Sequence, residues 1–183
     1  MHLNFNVNNK EIIFNERYII RFSFVLLVGI FLLMYLPFTF FYGWKFTHFE
    51  LIRLLKHLLF WIIPIIILHE GLHGLVWAIT IKNGFEQIKF GFNRELLAPY
   101  THCKIPLKKW KYISGGLAPL LLMGIIPAII SFTLGSPYWF CLSLFCIWSA
   151  AGDILSCYYI LEVPKNFNIQ DHPDKLGFIL IPI

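Results

Sequence analysis

The chain has 183 residues, 58% of them hydrophobic, 18% aromatic and only 14% charged, with a formal net charge of +5. Soluble domains carry about 45–50% apolar and about 25% charged residues, so the composition excludes an ordinary soluble enzyme and predicts a multi-pass protein of the cell membrane, one polytopic domain over residues 1–183. The basic residues gather in loops beside apolar runs, a signal for topology and for contact with the lipid bilayer, and their pattern gives no sign of a nucleic-acid partner.

The predicted architecture is an all-α membrane protein of about four transmembrane helices, with a small β-hairpin at the surface between the second and third. Residues 1–20 are mixed and asparagine-rich and lack the short apolar core and small-residue cleavage site of a signal peptide. The first span covers about residues 22–42, roughly the 20 residues needed to cross the hydrocarbon, and closes on an interfacial aromatic belt, Phe38 to Trp44. A polar link, Lys45 to Glu50, leads to a second helix over about 51–80, entered through Arg53, Lys56 and His57, whose side chains can snorkel to headgroups. Pro64 predicts a kink five residues before His69.

The chemistry is concentrated in this second helix, where His69, Glu70 and His73 form an H-E-x-x-H pattern inside an apolar run. On a helix the two histidines stand one turn apart on one face, so their imidazoles can share a metal, and Glu70 lies about 100° round from His69. Catalytic zinc takes roughly three protein ligands and lowers the pKa of a bound water towards about 7, and a neighbouring carboxylate can take the proton as that water attacks a carbonyl. Ionisable groups at membrane depth cost at least about 2.5 kcal/mol each, so such a cluster calls for a compensating partner, which Zn2+ would supply. The plainer alternative is a chance match with both histidines packed between helices.

From Lys82 to Lys111 seven lysines or arginines appear, together with period-two patterns at Ile88, Phe90, Phe92 and at Cys103, Ile105, Leu107. They predict the hairpin, over about 84–107, with its turn between Asn93 and Pro99. Its edge offers strand addition to an extended substrate, or the segment is a simple amphipathic connector. His102 lies on it, either as a surface residue or as a substrate contact. The third span, about 112–134, opens on Ser114, Gly115, Gly116 and Pro119, residues that let another backbone come close. Both glycines and Pro119 are candidates for substrate contact, with ordinary helix packing as the alternative.

Gly135-Ser-Pro137 turns into a fourth span, about 138–161, with one acidic residue, Asp153, as the candidate third metal ligand. Four spans bring both termini and the lysine-rich second loop to one side, which the positive-inside rule makes cytoplasmic. His73 and Asp153 then lie roughly 10 and 12 Å from the cytoplasmic ends of their helices at 1.5 Å per residue, which sets the three ligands level. The tail after Glu162 returns to apolar residues and is expected to lie back on the surface. Cys103, Cys141, Cys146 and Cys157 have no C-x-x-C spacing and read as reduced thiols packed as small apolar residues.

With its H-E-x-x-H helix, hairpin, third helix and Gly152-Asp153 in a fourth, the chain resembles the small bacterial membrane proteins known as putative zincin peptidases, over roughly residues 60–178. More distantly it is similar to the site-2 protease class of intramembrane metalloproteases. The resemblance implies zinc held by His69, His73 and Asp153 with Glu70 as base, acting on a membrane protein or peptide near the cytoplasmic face. Two other readings of these residues stay open: a metal-binding transporter or sensor, and a structural pseudo-protease in which Glu70 is dispensable.

Overall fold

The computed structural model describes residues 11–93, 98–172 and 176–183. Asn15 starts the first helix, α1 (Glu16–Tyr42): its side-chain oxygen accepts the Arg17 backbone N–H at 2.9 Å, and Glu16 follows at the positive end of the helix dipole. Midway the helix widens to π geometry over Phe31–Tyr35, just ahead of Pro37. Proline has no N–H to offer the preceding turn, and the helix takes up the spare residue there. Gly43, at a φ of 94° that side-chain-bearing residues rarely adopt, then turns the chain straight into α2 (Trp44–Thr80).

The polar link expected over Lys45 to Glu50 is therefore helical, and α2 begins at Trp44 instead of near residue 51. Its polar residues find partners inside the helix: the Thr47 hydroxyl donates to Gly43 O at 3.0 Å and the buried Glu50 carboxylate accepts from Arg53 at 3.2 Å. The 37-residue helix passes through Pro64 without being divided.

A short helix, α3 (Gly84–Gln87), precedes the hairpin of β2 (Ile88–Asn93) and antiparallel β3 (Ala98–Cys103), in which Ile88 faces Cys103 and Phe90 faces Thr101. The hairpin is shorter than the expected 84–107, because residues 84–87 are helical and Leu107 joins another sheet; the expected turn falls on 94–97, outside the described residues. β4 (Leu107–Lys108) leads into α4 (Lys109–Thr133), which widens to π geometry over Leu120–Ile125, ahead of Pro127.

The segment expected as a fourth span over about 138–161 is two helices, α5 (Pro137–Ser149) and α6 (Ala151–Glu162), bent by 48° at Ala150. Among the described residues three helices are thus long and apolar enough to cross a membrane, or four if the bent pair is one span.

The expected all-α class also needs amending. The tail folds as β5 (Phe167–Asp171) and β6 (Gly177–Pro182), which with β1 (Glu11–Ile13) and β4 make an antiparallel sheet in the order β1-β6-β5-β4. Burial drives it: Ile169, Phe178 and Leu180 turn inward onto Trp77, Tyr112, Leu155 and Ile160 of the helices. A second core, around Phe38, Leu54, Phe140 and Ile147, lies wholly among helices. α2 contributes to both.

Candidate metal centre

α2 lays His69 and His73 on one face with ring centroids 4.8 Å apart, and the ligand atoms of His69, Glu70 and His73 all fall within 4.8 Å of one another. These three side chains are close enough together to hold a metal. Asp153 meets it from α6: Oδ2 stands 3.0 Å from His69 Nε2 and Oδ1 stands 3.4 Å from His73 Nε2. The break at Ala150 explains how an acidic residue is accommodated there. It starts a new helix, so Asp153 lies in a first turn, where free N–H groups and the dipole favour a carboxylate.

Two sets of donors can therefore be drawn, the histidines with Glu70 or the histidines with Asp153. Ligands on a tetrahedral zinc at about 2.0–2.1 Å stand roughly 3.3 Å apart, and the Asp153 contacts of 3.0 and 3.4 Å match that edge. A set completed by Asp153 would leave the Glu70 carboxylate free.

His73 is the most firmly held member. Its Nδ1 lies 2.8 Å from Gly115 O, and because a carbonyl can only accept, Nδ1 carries the proton. With Nδ1–H committed to Gly115 O, Nε2 faces a carboxylate oxygen at 3.4 Å, a contact that either a proton on Nε2 or a metal ion between the two atoms satisfies. Trp77 stacks on the imidazole at 5.6 Å and 21°, and donates its indole N–H to Tyr112 O at 3.1 Å.

Gly115 and Gly116 of α4 are buried, as is Pro119. A Cβ at Gly115 would collide with the Trp77 indole, and one at Gly116 would stand 2.8 Å from Cys157 Sγ. The three residues read as candidate substrate contacts therefore touch the protein itself, and Gly115 serves the centre through its carbonyl. All four cysteines are free and buried.

The hairpin lies against the same turn of α2. Thr101 Oγ1 donates to Glu70 O at 2.8 Å, and a Cβ on Gly74 would stand 2.7 Å from the Phe90 ring. His102 does not join the two histidines: its Nδ1 is 3.7 Å from Asp171 Oδ2, on β5. The Tyr112 hydroxyl donates to the other oxygen, Oδ1, of the same carboxylate. Burial pushes the Asp171 carboxyl above its ordinary range, against the opposing pull of the Tyr112 hydroxyl and of His102, and burial likewise raises the Cys103 thiol. The part played by Trp77, Tyr112 and Asp171 was not visible in the sequence. The one available signal was Asp171 itself, a carboxylate in a tail whose apolar residues alternate on either side.

The family described as putative zincin peptidase matches residues 62–167, a stretch that holds α2 from Ile62, the hairpin, α4 and both halves of the bent span. An uncharacterised 24.7 kDa protein in the gap 5' region of Pyrococcus woesei is 30% identical over 122 residues, 64% of this chain and 52% of that protein. The chain spans about half the length of this relative. No solved structure matches. With the match covering more than half of its residues and enclosing the histidine pair, the chain belongs to the putative zincin peptidase family.

Proposed function

We propose that the chain is a zinc-dependent, membrane-embedded endopeptidase in which His69, His73 and Asp153 hold the metal and Glu70 is the general base. The observation that carries this reading is the His73 imidazole, whose Nδ1 proton is committed to Gly115 O while Nε2 faces Asp153. A metal ion at that point would take Nε2, the Asp153 carboxylate and His69 together. Zinc bound there would polarise a scissile carbonyl and lower the pKa of a water beside it. Glu70 would accept a proton from the water that adds to the carbonyl carbon and would return it to the amide nitrogen as the C–N bond breaks. Asp153 keeps the ligand set from being purely neutral.

The substrate is a membrane protein or peptide that reaches the centre in extended form, since an intact helix hides its carbonyls in hydrogen bonds. Lys82, Lys89, Lys104, Lys108, Lys109 and Lys111 cluster on the segments at the sheet-bearing end of the helices, which supports a cytoplasmic position for that end. Phe40, Leu59 and Leu33, exposed by 85%, 86% and 79%, are suited to lipid contact. Of the candidate substrate contacts His102 is partly exposed, and Gly115, Gly116 and Pro119 are buried.

Elemental analysis of detergent-purified protein after dialysis tests the reading. About one zinc per chain is expected in wild type and in Glu70→Gln, and none in Asp153→Ala. Hydrolysis of a quenched-fluorescence peptide library by wild type and not by Glu70→Gln completes the case. A protein that stays metal-free when zinc is offered would overturn it, and a zinc protein whose hydrolysis ignores Glu70→Gln would overturn the assignment of the base.

A further inference from the structure

The Asp171 carboxylate sits where three separate segments converge. Oδ1 accepts the Tyr112 hydroxyl from α4. Oδ2 is shielded from solvent and faces His102 of the hairpin at 3.7 Å. From Tyr112 the contacts run on to the centre: its backbone carbonyl accepts the Trp77 indole N–H at 3.1 Å, its ring lies 5.4 Å from the Trp77 ring, and Trp77 stacks on His73. Gly115, whose carbonyl orients His73, presses against the same indole because it has no side chain. Each link fixes the next, and the first stands on the tail strand β5, pinned by pairing Asp171 with Phe178 of β6.

We propose that Asp171 is a positioning residue of the metal centre, acting through Tyr112 and Trp77 on the orientation of His73. The inference rests on the metal-binding part of the proposed function and not on proteolysis. A ligand imidazole whose partners are loosened binds metal less tightly, and changes in the groups that orient a ligand typically cost about 10–100-fold in affinity. A carboxylate shared between a buried hydroxyl and a histidine suits such a post, since a charged acceptor makes a stronger bond than a neutral one. The tail sheet then helps to shape the centre as well as covering a core.

The test measures the zinc dissociation constant, by competition with a chromophoric chelator, and the visible spectrum of the cobalt-loaded protein, which reports ligand geometry directly. Tyr112→Phe keeps the ring and removes only the hydroxyl, and Asp171→Ala removes its acceptor. Each is expected to weaken zinc about tenfold and to alter the cobalt bands, with the double variant no worse than either alone. Asp171→Asn retains an oxygen for the hydroxyl and should recover most of the loss. Leu180→Ala, which removes a buried side chain of the same sheet opposite Ile169 instead of Asp171, separates positioning from general weakening and should leave the metal constants of the folded protein unchanged. Wild-type affinity and spectrum in Tyr112→Phe, or an equal loss in Leu180→Ala, would overturn the inference while leaving zinc binding intact. Failure of wild type to bind zinc would remove the metal reading and this inference together.

Discussion

The two ends of the molecule are built on different principles. Around the metal centre the contacts are hydrogen bonds between distant segments: Trp77 to Tyr112, Tyr112 to Asp171, Thr101 to Glu70, His73 to Gly115. At the far end aromatic packing predominates, with Phe38 stacked on Phe140 at 4.1 Å and 14° and Phe132 edge-on to both, and hydrogen bonds such as Tyr42 hydroxyl to Phe132 O and Trp61 to Tyr138 supplement it. Apolar packing accepts any side chains of suitable volume, whereas a polar network fixes one arrangement and loses its value when half satisfied. The far end supplies stability, and the near end spends specific residues on geometry.

Substitutions that separate stability from metal geometry sharpen this contrast. The largest effect is expected from Glu70→Gln, which should lower peptide hydrolysis by about 10²–10⁴-fold with zinc content unchanged by elemental analysis. At the far end Phe140→Ala should cost about 3–5 kcal/mol in thermal or denaturant unfolding of the detergent-solubilised protein, with the zinc dissociation constant unmoved. A shift in that constant would show that the two ends are coupled and the contrast false. Gly115→Ala places a methyl against the Trp77 indole; the same unfolding assay should show about 1–3 kcal/mol of overpacking cost, here together with weaker zinc binding. Arg53→Met should have the smallest effect. The Arg53 side chain is 54% exposed, and its pairing with Glu50 and its contact with the Tyr138 ring at 5.1 Å should together change stability by no more than about 1 kcal/mol.

What was legible in the sequence divides along the same line. The histidine pair and Glu70 were readable because a helix converts spacing into facing, and the long apolar helices because a continuous apolar run of that length is itself the signal. Asp153 stood out as the lone acidic residue of its span. The helical start of α2 was hidden because Lys45, His48 and Glu50 look like a link, although each is compatible with helix and Glu50 has Arg53 one turn on. The break at Ala150 was hidden because Ala150-Ala151-Gly152 contains no proline to announce it. The tail sheet was hidden for a deeper reason. Pairing Ile12 with Phe178 and Leu107 with Ile169 joins residues that local periodicity cannot connect, and the role of Asp171 exists only once those pairs form.

α2 holds 37 residues, about 55 Å at 1.5 Å per residue, against a hydrocarbon thickness of about 30 Å. Embedded as proposed, a rod of that length leans or emerges, and the mismatch is settled by the lipid as much as by the protein. Since the histidine pair rides near one end of this rod, its lean sets the angle at which a neighbouring helix approaches the centre. On the proposed function, bilayer thickness would be a variable of the reaction, and vesicles of short and long acyl chains would present one unaltered protein with two different geometries of encounter.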